Sequence, residues 1–69
     1  MSTDQEIDDT ASSMAWTIND ELWETAPPHR KAFWREIVKE TLGALMLPQA
    51  EKEVALEKIR ERIERDGIT

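Results

Sequence analysis

The sequence predicts an all-α protein, and three observations carry that expectation. Apolar residues between Phe33 and Ile63 recur at three- and four-residue spacing. No stretch alternates apolar and polar residues as a half-buried strand does. Only two glycines interrupt the 69 residues, and Pro28 and Pro48 stand where a helix would open.

Residues 1–13 are polar, acidic and rich in Ser and Thr, with Ile7 as the one large aliphatic side chain beyond Met1. Such a segment has little to offset the entropy of ordering and reads as a disordered acidic tail. Residues 14–26 change character, with Met14, Trp16, Ile18, Leu22 and Trp23 set among Asp20, Glu21 and Glu24. Thr17 followed by Asp20 resembles a helix start, with acids in the first turn where the helix dipole favours them. A short Trp-bearing helix over about 18–25 is expected, ending before Pro27-Pro28 because the residue preceding a proline is pushed out of helical geometry.

Pro28 then opens a longer helix to about Met46, with Phe33, Trp34, Ile37, Val38, Thr41, Ala44 and Leu45 on its apolar side. Pro48 opens the last helix, to about Asp66, with a stripe of Ala55, Leu56, Ile59 and Ile63 and with Gly67 as its stop. A tight turn at Leu47-Pro48 makes residues 28–67 an antiparallel helical hairpin, pairing Phe33 with Ile63, Ile37 with Ile59 and Thr41 with Ala55. In that register Lys31 meets Glu64, Arg35 meets Glu61, Lys39 meets Glu57 and Glu36 meets Lys58. Arg60 is left to Glu57 or Glu64 on its own helix. Two helices alone make a marginal core. Leu42 and Met46 point away from the seam and Trp34 sits at its margin, so a second apolar surface is required. A second copy, the Trp16–Trp23 segment or another protein would supply it.

Charge is distributed unevenly. Residues 1–24 hold seven acids and no lysine or arginine, while the remainder holds eight acids and nine bases, for a net charge of −6. An acidic end of this kind marks an interaction segment. With no cysteine, the chain has neither disulfides nor thiolate metal sites. No apolar run approaches the roughly 20 residues that span a bilayer, and the acidic start lacks the order of a secretory signal. A cytoplasmic protein without membrane association is expected.

No phosphate loop, calcium loop, nucleophile elbow or zinc spacing is present, so no enzyme, cofactor or metal is expected. His29 has no ligand-spaced companion and reads as a surface or capping residue. Glu53, Glu57, Glu61 and Glu64 lie off the apolar stripe and read as an ion-pairing face, unlike the core carboxylates of di-metal bundles. The acidic balance disfavours direct nucleic-acid binding. Trp16, Asp20, Glu21, Trp23 and Glu24 combine aromatic anchors with steering charge, as docking elements do. Trp34, Leu42 and Met46 form a second candidate face. Three functions fit: a non-enzymatic module docking on a larger protein with a basic surface, an acidic mimic of nucleic acid, or a structural homodimer.

Overall fold

The computed structural model describes residues 3–68. Its order is α1 (Thr3–Asn19), a 3-10 turn (Trp23–Thr25), α2 (Pro28–Leu45), α3 (Gln49–Arg62) and a closing π turn (Ile63–Gly67), with no strand among the described residues. The all-α expectation holds. Within it, the first third of the chain is arranged differently from the sequence reading.

The expected tail is instead helical from Thr3 onward; residues 1 and 2 lie outside the described residues. Its buried positions are Ile7, Ala11 and Ala15, spaced by four, with both alanines fully buried. That spacing sets them on one face, and the missing side-chain bulk lets the helix lie close against a neighbour. The neighbour is α2, whose Trp34, Ile37 and Val38 complete the core. Met14, Trp23, Phe33, Ile59 and Ile63 pack around it. Ser, Thr and Asp give α1 little intrinsic helix preference, so tertiary packing holds it. The second apolar surface required by α2 is therefore α1.

The expected helix start at Thr17–Asp20 is a helix end. Asp20 adopts the left-handed conformation with φ 51°, which Asp tolerates better than most residues. Its amide donates to the Trp16 carbonyl and that of Glu21 to the Ala15 carbonyl, at 2.9 and 3.1 Å. The chain then passes through the 3-10 turn in place of the expected short helix.

The prolines act as expected. Pro28 occupies the first turn of α2, and Pro27, extended at φ −62° and ψ 158°, caps it. Pro48 is extended and caps α3, where its carbonyl accepts from the Lys52 amide at 2.8 Å. Of the four expected ion pairs between α2 and α3, none forms among the described residues, and Arg35 and Glu36 take other partners. Arg35 bonds Asp8 of α1 at 2.6 Å, instead of Glu61. Glu36 and Glu40 both receive Arg62, at 2.9 and 2.6 Å, which brings the end of α3 beside α2. Arg60 lies 4.0 Å from Glu57 and 3.3 Å from Glu64 on its own helix, as its spacing predicts. The basic ridge of α2 thus turns towards the acidic arm. The seven N-terminal acids have no counterion in their own segment, and two of them find one across the core.

Candidate functional surfaces

Three places concentrate chemistry: a half-buried polar node, a concavity on the arm, and the exposed apolar tip where α2 meets α3.

The node is built on Glu21, which the left-handed Asp20 aims back at α2. Its Oε1 accepts from Asn19 Nδ2 at 3.1 Å, Arg30 Nη2 at 2.7 Å and Trp34 Nε1 at 3.1 Å. Its Oε2 accepts from Arg30 Nε at 3.1 Å. The paired bonds from the Arg30 guanidinium, with those from Asn19 and Trp34, hold the Glu21 carboxyl at about 2, against an ordinary 4.5. Arg30 also donates to the backbone carbonyl of Asp66 at 2.8 Å and to that of Gly67. Its guanidinium lies 5.5 and 5.7 Å from the Phe33 and Trp34 ring centres, within cation–π range. Gly67 closes this corner. A Cβ there would stand 2.9 Å from Phe33 Cε2 and 3.3 Å from Trp34 Cη2. No buried side-chain polar atom among the described residues lacks a partner. The node joins the arm, α2 and the C-terminal turn; its role is cohesion.

Two of the expected docking groups therefore have internal work. Trp34 is fully buried, 0% exposed, and belongs to the core, because its indole N–H reaches Glu21 and its ring lies edge-on to Phe33 at 5.1 Å. It is not a surface anchor. Glu21 is committed to Arg30 with both oxygens.

The remaining named residues fall on two separate surfaces. On the arm, Trp16 is 55% exposed, Asp20 and Glu24 are exposed, and Trp23 is partly covered. Trp23 carries Arg35 and Lys31 against its ring, at 5.5 and 5.7 Å from the ring centre. A concavity of about 310 Å³ opens between Trp16, Leu22, Trp23 and Glu24, with Ser12, Glu21 and Thr25 completing its lining. At the tip, Leu42 and Met46 are exposed, and Met46, at 86%, is the barest large apolar residue among the described residues. Leu45, Leu47 and Val54 share this exposure, and a shallow depression of about 500 Å³ lies beside Val54, between Ala50 and Ala55.

Leu22, Leu45, Leu47 and Val54 join these surfaces without being among the residues that sequence reasoning picks out. A signal for the tip is present, since residues 41–50 carry no charge beyond the edge of Glu40. Leu45 escapes notice because its place on the apolar stripe of α2 implies burial. Among the described residues no group of three or more His, Asp or Glu is placed to hold a metal ion. No described helix is long and apolar enough to cross a membrane.

Comparison with known protein families, curated proteins and solved structures finds no match to this chain.

Proposed function

We propose that the protein is a small non-enzymatic docking module that binds a larger protein through the tip of its α2–α3 pair, which we read as a helical hairpin. The observation that carries this reading is the apolar surface left over after the core is complete. Leu42, Leu45 and Met46 stay more than half exposed although α1 already covers Trp34, Ile37 and Val38. Contiguous apolar exposure of this kind is uncommon on a monomer without a partner. The uncharged stretch 41–50 imposes no charge desolvation on whatever covers it.

The same stretch favours one second reading, a homodimer through the tip. A two-fold interface places each residue against the same patch of its partner, and an uncharged patch meets itself without like-charge contacts. The exposed acids of the arm would repel in such an arrangement.

Affinity capture with the wild-type chain and with a Leu42→Glu, Met46→Glu double variant, alongside sedimentation of both, separates the outcomes. A partner held by the wild type and released by the variant supports the docking module. A concentration-dependent dimer abolished by the variant supports the second reading. A monomeric wild type whose captured partner the variant retains would remove the tip from both.

A further inference from the structure

We propose that the concavity between Trp16, Leu22, Trp23 and Glu24 is a receptor for a lysine or arginine side chain carried on a basic segment of a partner protein. The proposal extends the docking function to a second, chemically different surface.

The site has one aromatic-aliphatic wall and one acidic edge. At about 310 Å³ it stands at the small end of ligand pockets, about 300–1,000 Å³, and suits one long side chain. A cation entering it would lay its alkyl stem on Trp16 and Leu22 and bring its head to Glu24. Of the two glutamates in its lining, Glu21 is saturated by Arg30, whereas Glu24 is exposed and has no ion pair among the described residues. The molecule already holds its own cations by these means. Arg30 sits between Glu21 and the rings of Phe33 and Trp34, and Arg35 pairs with Asp8 while lying on Trp23. The concavity presents the same combination of ring and carboxylate facing outward, with the cation supplied from elsewhere.

Charge complementarity selects the occupant. Internal pairing consumes Asp8 and Glu21, leaving Asp4, Glu6, Asp9, Asp20 and Glu24 without ion pairs among the described residues. Two cations lie against the Trp23 ring, Arg35 at 5.5 Å and Lys31 at 5.7 Å from its centre. Arg35 is paired with Asp8, which leaves Lys31 as the uncompensated charge, among the described residues there, opposing a cation. Asp4 and Glu6 stand ten or more helical residues from Trp16, beyond a Debye length of ~8–10 Å at ordinary salt. Asp20 and Glu24 beside the concavity nevertheless outnumber the one lysine.

The test uses the full chain and a blocked five-residue peptide bearing two arginines and a leucine, with copies carrying glutamine or glutamate for arginine. The three indole N–H signals in NMR report the result, with buried Trp34 as internal control. Saturable movement of the Trp16 and Trp23 signals, with Trp34 unmoved, is expected for the arginine peptide alone. Glu24→Gln should weaken binding about two- to fivefold, the size of an exposed cation–π or ion-pair contribution. Trp16→Ala should abolish it, with the Trp34 signal confirming the fold. Asp9→Asn, an exposed acid outside the lining, should leave it nearly unchanged. The proposal is overturned if no signal saturates, if the glutamine peptide binds equally, or if Asp9→Asn weakens binding as much as Glu24→Gln. The Leu42→Glu, Met46→Glu variant should bind the peptide like wild type, so failure here is distinguishable from failure of the tip.

Discussion

Two stretches of α2 are built from similar residues and meet opposite fates. Along the middle of α2, Trp34, Ile37 and Val38 are at most 2% exposed; one turn further on, Leu42 and Leu45 are 53% exposed. Coverage makes the difference. Glu21 at the end of the arm meets Arg30, Asp8 meets Arg35, and Ile7 reaches only the level of Val38 and Leu42. On the N-terminal side of Ile7 the remaining described residues of α1 are polar, and Leu42 and Leu45 emerge bare while Ala44 stays buried. An apolar stripe thus indicates where burial is wanted, while the extent of the neighbouring helix's apolar face decides where it is obtained.

Removing one large side chain from the covered stretch and one from the bare end tests this contrast most directly. Trp34→Ala should cost about 3–5 kcal/mol of unfolding free energy in urea, through lost burial and an unfilled cavity. Met46→Ala should stay within about 0.5 kcal/mol. Equal losses would mean that the tip is covered in the free protein.

The arm comes next. Ile7→Ala should cost about 2–4 kcal/mol, and removal of residues 1–13 should lower the melting temperature and the helical content by circular dichroism. An unstructured tail would leave both unchanged. Asp9→Ala, on the exposed side of the same helix, serves as the neutral reference.

The polar node adds a dependence on pH. The Glu21 carboxyl titrates lower in the folded chain than in the unfolded one, so its contribution is complete above about 4.5 and is lost as pH falls towards about 2. Glu21→Gln should remove about 1.5–3 kcal/mol near neutral pH. The variant should also lose less additional stability than wild type between about pH 6 and pH 3. Parallel urea midpoints at the two pH values would show that the carboxylate is not the acid-sensitive group.

Smaller and opposite effects should come from the two glycines. Gly67→Ala drives a methyl into Phe33 and should cost about 1–2 kcal/mol. Gly43 lies inside α2, and a methyl added there would meet nothing within 4 Å, so Gly43→Ala should stabilise by about 0.5–1 kcal/mol. Thermal melts of the two variants should move in opposite directions.

How legible these regions are in the sequence follows from the residues that build them. Pro28 and Pro48 set the starts of α2 and α3 within a residue, because a missing N–H and a restricted φ act locally. α1 is hidden because its core is Ala11 and Ala15, small side chains that pass for filler in a polar segment until Trp34 fills the space they leave. Asn19-Asp20 is ambiguous by nature: such residues serve both helix starts and left-handed helix ends. The ion pairs depend on the same segment, since Arg35 cannot be assigned to Asp8 unless residues 1–13 form a helix. Leu42 and Met46 are legible as unburied because they fall off the seam.

Arg30 carries a consequence for how the chain reaches this structure. Its bond to Glu21 closes nine residues, whereas its bonds to Asp66 and Gly67 close 36 and 37. Shorter closures sacrifice less chain entropy and are made sooner. The arm and the first half of α2 should therefore assemble into a folding nucleus that holds the guanidinium ready before the C-terminal turn arrives. In stopped-flow chevrons, Ala15→Gly should slow refolding, while Gly67→Ala should chiefly accelerate unfolding. The reverse assignment would place the C-terminal latch in the transition state.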